Sequence, residues 1–197
     1  MRSKVHWFRA EAPKSPREVA GALALVAWAG ARRMVAALRK AGFDIEAGPA
    51  YFAFLFEALA FQVQVAWRCA YVRYGEEDRS AFVNALARGT MRTLADNCAE
   101  LLGGDARAIE GAFIADLNRR FEEYADFGHG ADGPDFAFLR YFASRVQELL
   151  PQKDRAWIHD QLIAIEGPEG ACAIAKGLDA LLDTSPGCLR RAGSAGE

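Results

Sequence analysis

The pattern of apolar and polar residues centres on one segment, residues 49–74, which reads PAYFAFLFEALAFQVQVAWRCAYVRY. The segment is too long and continuous for a strand, and its interior lacks glycine and proline, which predicts a helix. Such a helix would span about 40 Å, close to the width of a domain of this size. Apolar residues surround its axis on nearly every side, so we expect other helices to enclose it.

Amphipathic segments with start and stop signals flank this central helix. Ser15-Pro16-Arg17-Glu18 combines an N-cap, a proline at the first helical position and a capping-box glutamate. The other flanking helices are predicted to begin near Glu76, Asp105, Pro134 and Lys153, and a last one follows a break at Gly167-Pro168. In the helix predicted from Lys153 to Glu166, four side chains are expected to face the core: Trp157, Ile158, Leu162 and Ile165.

These signals predict an all-α, single-domain bundle of six or seven helices around a central long apolar helix. We divide the chain into an N-terminal arm (1–14), a helical bundle domain (15–183) and a flexible C-terminal tail (184–197). The connections are short, and no strand pattern is evident, so antiparallel neighbours are expected. A chain of 197 residues can bury a sufficient core without metals or disulfides.

Charge and cysteine content narrow the class of protein. The formal net charge is -2 and no long basic block occurs, which argues against a nucleic-acid-binding protein. The four cysteines are widely spaced, which argues against a zinc module and favours free thiols in a reducing compartment. We therefore predict a cytoplasmic protein without a cofactor or a resident metal.

Two apolar stretches bear on membrane insertion. The uncharged run at residues 19–31 follows basic residues, as in a secretory signal, but glutamates interrupt the basic part and the helical pattern continues past the run. That run is too short to cross a bilayer. The central helix is long enough, but four of its residues would be costly in lipid: Glu57, Gln62, Gln64 and Arg68. The sequence therefore predicts no membrane span.

The few polar residues of the central helix form the main candidate site. Glu57, Gln64 and Arg68 lie within about 40° of one another around the helix axis. A buried carboxylate is stable only with a partner, which could be Arg32, Arg33, Arg92 or Arg120. The trio is interpreted as a structural ion-pair network, as the polar floor of a ligand pocket, or as an exposed strip.

A second candidate lies nearer the C-terminus, where His129, the pair His159-Asp160, and Asp179 or Asp183 occur in that order. This order resembles that of metal phosphohydrolases of the HD superfamily, which are all-helical. The resemblance implies a metal-dependent hydrolase with His129, His159 and Asp160 among its ligands. It covers only these positions. The usual apolar residues before the His-Asp pair and the Gly-Lys after it are absent, so a dipeptide on a solvent-facing surface is the simpler interpretation.

The loop at residues 126–135 also combines His129 with three aspartates, Asp126, Asp132 and Asp135, among glycines. Oxygen ligands on a flexible backbone could suit a cation, but their spacing matches no calcium-loop pattern. Helix capping by these aspartates explains the same composition. No Glu-x-x-His spacing of a di-metal bundle, no Gly-x-Ser-x-Gly motif and no phosphate loop occur.

Three functions remain open from the sequence. The first is a non-enzymatic cytoplasmic interaction protein, expected to be a homodimer, because 13 Phe, 4 Trp and 5 Tyr exceed what one core face requires. The second is a small-molecule-binding bundle with a pocket above Glu57, Gln64 and Arg68. The third is the metal-dependent hydrolase of HD-like type.

Overall fold

The computed structural model describes residues 14–183. Within that range the chain forms helices α1 (Pro16–Lys40), α2 (Pro49–Tyr71), α3 (Glu76–Leu102), α4 (Ala106–Tyr124), α5 (Phe136–Leu149), α6 (Ile158–Gln161) and α7 (Gly167–Leu182). A π-helical segment, Leu162–Glu166, joins α6 to α7, and two short strands, β1 (His129–Gly130) and β2 (Gly133–Pro134), precede α5. The predicted all-α bundle is confirmed. The predicted arm lies outside the described residues apart from Lys14, and the predicted tail lies wholly outside them.

Local sequence signals set the starts of three helices. Ser15 accepts a hydrogen bond from the Glu18 amide at 3.3 Å, while the Ser15 amide donates to the Glu18 carboxylate at 2.9 Å. This is the predicted capping box, with Pro16 following the cap. Asp105 and Asp135 cap α4 and α5 by accepting from backbone amides in the first turn of each helix. Side chains beside each start therefore satisfy amides that have no partner within the helix.

Helix α2 occupies the centre of the bundle, as predicted. It packs against α1, α3, α4, α5 and α7, and 16 of its 23 residues are buried. It ends at Tyr71 rather than Tyr74 because the chain tightens into a turn, in which the amides of Arg73 and Tyr74 both donate to the Ala70 carbonyl. By length and composition alone, α1 and α2 could each cross a membrane. Other parts of the bundle bury 78% of the most apolar window of α2.

The C-terminal helices differ from the prediction. Residues 152–157 form turns, and the helix begins at Ile158 instead of Lys153. No break occurs at Gly167-Pro168, because the π-helical segment lets the chain continue from α6 into α7. The Gly167 amide donates to the Leu162 carbonyl, five residues earlier, in the π pattern. A Cβ atom at Gly167 would lie 2.6 Å from the Leu162 carbonyl oxygen, so this wide turn requires glycine.

This geometry changes which side chains enter the core. Ile158 and Leu162 are buried as predicted, whereas Trp157 is 69% exposed and Ile165 is 44% exposed. The prediction was wrong for Trp157 because it precedes the first helical residue. It was wrong for Ile165 because a π turn contains an extra residue and shifts the helical phase.

Candidate functional site

The structure separates the polar side of α2, defined as Glu57, Gln64 and Arg68, into three environments. Glu57 forms a buried ion pair with Arg120 of α4, with Nη2 2.6 Å from Oε1 and Nε 2.9 Å from Oε2. The two side chains are only 5% and 9% exposed. Arg120 is thus the partner among the four arginines considered. The pair links α2 to α4 through a bidentate, charge-assisted contact.

Further charged groups extend this pair towards the surface. Arg120 Nη1 donates to Glu123 at 2.8 Å, the Tyr141 hydroxyl also donates to Glu123, and Arg145 Nε lies 3.8 Å from Glu57 Oε1. The hydrogen bond from Arg120 to Glu57 raises the pKa of Arg120. Burial raises the pKa of Glu123, but hydrogen bonds from Tyr141 and Arg120 outweigh burial and lower it. These contacts stabilise the charged forms, as expected of a structural ion-pair network.

Gln64 is fully buried between the other two residues. Neither its amide nitrogen nor its amide oxygen has a hydrogen-bond partner in the described part of the chain, and the buried Tyr124 hydroxyl also lacks one there. Burial raises the pKa of Tyr124 well above its usual value. An unpaired buried polar group costs about 1–3 kcal/mol, so Gln64 weakens the core around it.

Arg68 closes the C-terminal end of α4. Its Nη2 donates to the carbonyl oxygens of Tyr124, Ala125 and Phe127, each at 3.1 Å. The guanidinium also stacks over the Trp67 ring, 4.8 Å from its centroid. Among residues 14–183, no carboxylate forms a salt bridge with Arg68, and its Nε is buried without an acceptor. Arg68 is therefore held in place while its charge lacks an ionic partner in the described part of the chain.

Arg68 borders a cleft of about 780 Å³, which we call the hairpin cleft. The cleft lies between the end of α2, the β1–β2 hairpin, α5 and α7. Its lining comprises Arg68, Cys69, Val72, Arg73, residues 129–134, Leu139, Pro168, Ala171, Cys172, Ala175 and Asp179. Neither Glu57 nor Gln64 borders this cleft, so it contains only one member of the predicted trio.

The hairpin wall of the cleft is fixed by backbone contacts. β1 and β2 pair antiparallel, with Gly133 at a φ of 105°, a conformation that glycine adopts without strain. The Asp135 carboxylate accepts from the Gly128 amide at 2.9 Å, and the Asp135 amide donates to the Gly128 carbonyl at 3.0 Å. Asp135 also caps α5, as the capping interpretation of this loop predicts. Strands of two residues are too short to give an alternating sequence pattern, which explains why the sequence did not indicate them.

His129 lies on the hairpin wall, close enough to Arg68 for the charge of Arg68 to affect the pKa of His129. Its Nε2 is buried and has no hydrogen-bond partner within the described range. Burial lowers the pKa of His129, and the charge of Arg68 lowers it further. His129 is thus favoured in its neutral form near pH 7.

The opposite wall carries a paired arginine and two thiols. Arg73 contacts Asp179 of α7, with Nη2 at 2.6 Å and Nε at 2.9 Å from the same carboxylate oxygen, which neutralises its charge. Burial raises the pKa of Cys69, so its thiol remains protonated, whereas Cys172 is exposed at the cleft. The sequence did not point to this group, because its members come from the end of α2, the turn after it, and α7, which are far apart in the chain.

The residues of the HD-like resemblance do not meet. His129 borders the hairpin cleft, whereas His159 and Asp160 border a separate groove with Phe136 and Arg140. Asp179 is paired with Arg73. In the described part of the chain, no group of three or more His, Cys, Asp or Glu side chains is placed to hold a metal ion. The geometry therefore gives no support to a metal-dependent hydrolase.

Comparison with protein-family models, curated proteins and solved structures finds no match to this chain. Its function is therefore inferred from the geometry of the hairpin cleft.

Proposed function

We propose that the chain is a non-enzymatic protein that binds a small molecule in the hairpin cleft. Its volume of about 780 Å³ falls within the range of about 300–1,000 Å³ that is typical of ligand pockets. Apolar walls with a few polar groups are also typical of such sites. The observation that carries the proposal is Arg68, which three carbonyls hold at the cleft and which has no ionic partner among the described residues.

The chemistry of the lining favours binding over catalysis. A catalytic cysteine needs a lowered pKa, but burial raises that of Cys69. A general-base histidine needs a carboxylate on one ring nitrogen to orient it, and none among residues 14–183 is hydrogen-bonded to His129. The nearby Asp135 carboxylate accepts from the Gly128 and Phe138 amides instead. The proposal includes a cytoplasmic location, which the free thiols of Cys69, Cys98 and Cys172 support.

A fragment screen by NMR on the ¹⁵N-labelled full chain tests this proposal. We expect hits that shift amide signals of residues 129–134 and of α7 around Ala175. Ala175→Phe should fill part of the cleft and abolish these shifts. The matched control Ala87→Phe changes another half-buried alanine, which borders a different groove, and should preserve them. A screen without hits in the cleft, or hits that persist in Ala175→Phe, would refute the proposal.

A subunit contact is a second candidate, and two exposed aromatic residues favour it. Phe136 is 64% exposed and Trp157 is 69% exposed. Phe136 begins α5, and Trp157 directly precedes α6, which packs against α5. We propose that the exposed surface of α5 and α6 forms a homodimer contact. Sedimentation of the full chain and of Trp157→Ser tests it, and a monomeric wild-type protein at micromolar concentration would refute it.

A further inference from the structure

We infer that the ligand of the hairpin cleft is an organic monocarboxylic acid, with its carboxylate beside Arg68 and its apolar part against α7. This inference rests on the proposed function and adds the chemical class of the ligand. It depends on the balance of charge in the cleft, on the polar atoms without partners, and on the apolar wall.

The charge balance favours a single negative charge. Two arginines border the cleft, but Asp179 neutralises Arg73, which leaves Arg68 as the cation without a carboxylate partner in the described chain. The carbonyls that Arg68 contacts carry partial charges only. Asp132 lies exposed at the hairpin turn, where solvent screens it. A phosphate dianion would bring a second negative charge that no further cation balances.

The donors at this wall also suit a carboxylate. Arg68 uses Nη2 for the three carbonyls, so its Nε–Nη2 edge is not free for a paired contact with any anion, and a single hydrogen bond to one oxygen remains. Arg68 Nη1 makes no hydrogen bond within residues 14–183 and, unlike Nε, is not buried. It is therefore the guanidinium nitrogen that can donate to a carboxylate in the cleft.

The rest of the lining is suited to a hydrocarbon chain or ring. Val72, Leu139, Pro168, Ala171 and Ala175 contribute only apolar side chains. Burial of apolar ligand surface against these side chains would contribute to affinity. The inferred acid therefore needs an apolar body as well as its carboxylate.

Two matched probe pairs test the chemical class on the full chain. Octanoate is compared with octanamide, and 4-phenylbutyrate with 4-phenylbutanamide, by NMR titration at pH 7. We expect each acid to bind in the cleft roughly fivefold or more tightly than its amide, because only the acid gains the charged contact with Arg68. The acids should shift the signals of His129 and the Arg68 side chain.

Variants at an exposed hairpin position avoid disturbing the fold. Ala131 borders the cleft in the turn between β1 and β2. Ala131→Glu adds a negative charge there and should weaken binding of both acids roughly threefold or more. The control is Ala131→Gln, which is neutral and isosteric with Glu, and it should leave the affinities of both acids unchanged. The affinities of the amides should be nearly unchanged in both variants.

The outcomes separate this inference from the proposed function. If amides bind the cleft as tightly as acids, or if only unrelated neutral fragments bind there, the inferred class is wrong and small-molecule binding stands. If acids bind tightly but Ala131→Glu and Ala131→Gln behave alike, charge does not direct them and the inference fails. If no probe or fragment binds the cleft, the inference and the proposed function both fail.

Discussion

The two ends of the polar side of α2 carry opposite charges in very different environments. Glu57 is enclosed by the bundle and pairs with Arg120 through two short contacts. Arg68, three turns along the helix, donates within residues 14–183 only to carbonyl oxygens, and it borders a cleft. The comparison shows that a buried charge paired with an opposite charge is neutralised and serves to stabilise the fold. A charge that donates to carbonyl dipoles is not neutralised, so it can still bind an ion.

The energetics of the two ends differ for the same reason. Removing one member of a buried ion pair leaves the other charge buried without a partner, which lowers stability strongly. At the Arg68 end, loss of the guanidinium removes three hydrogen bonds to carbonyl oxygens, and these bonds are exposed or only partly buried. We therefore expect the Glu57 end to contribute more to stability and the Arg68 end more to binding.

The largest effect should come from Glu57→Gln, which leaves Arg120 without its main partner. We expect the free energy of unfolding to fall by about 3 kcal/mol in chemical denaturation. Asp116→Asn provides the control, because it breaks an ion pair with Arg119 that is largely exposed, and should lower stability by less than about 1 kcal/mol. Equal losses in the two variants would mean that the buried pair is no more important than a surface pair.

Arg68→Gln should have a smaller effect on stability, about 2 kcal/mol, because the hydrogen bonds at the end of α4 are lost. The control is Arg140→Gln, an exposed arginine in the groove near His159, which should change stability by less than about 0.5 kcal/mol. Thermal and urea denaturation would measure both. A loss for Arg68→Gln as large as that for Glu57→Gln would remove the distinction between the two ends.

Gln64→Met should raise the free energy of unfolding by about 1 kcal/mol, because it removes two buried polar atoms without partners and nearly preserves volume. Gln62→Met is the matched comparison. Gln62 already donates to the Ala58 carbonyl at 3.1 Å, so we expect a smaller gain. A clear loss of stability in Gln64→Met would show that Gln64 has a partner in solution, such as an internal water.

The smallest effect concerns pH and His129. Its pKa in the folded chain is lowered from the usual 6.5, first by burial and then by Arg68, while Asp135 opposes the shift and Asp132 and Asp179 also border the cleft. The unfolded chain therefore binds the proton first as pH falls below 6.5. Stability should decrease from there down to the folded-state pKa and then level off.

NMR titration of the His129 ring measures this pKa directly. His129→Gln should remove the corresponding decrease from the pH dependence of unfolding, so the difference between wild type and variant isolates the residue. A bound acid should raise the pKa of His129, because its negative charge lies beside the ring. A His129 pKa at or above 6.5 in the free protein would contradict the described environment.

Much of the helical architecture could be predicted because its signals are local. Ser15 and Glu18 form the capping box that their spacing indicates, and the uninterrupted apolar segment after Pro49 is the buried central helix. Local signals were less reliable near the C-terminus. Pro168 predicted a break, but Gly167 permits a π turn that keeps the helix continuous, an arrangement that residue types alone do not reveal.

The candidate site could be predicted only in part. The spacing of Glu57, Gln64 and Arg68 correctly placed them along one side of a helix, since a helical period fixes that relation. Which arginine would face Glu57 depended on the packing of α4 against α2. The pairing of Arg73 with Asp179 depended on α7 in the same way.

The sequence by itself determined that this chain forms an apolar central helix within an all-helical bundle, because periodicity and capping act over a few residues. Only the tertiary structure decided that Glu57 is enclosed and paired while Arg68 borders a cleft. Burial and charge pairing are set by neighbours distant in the chain. Three polar residues on one helical side therefore do not form one site, since each meets a different neighbour.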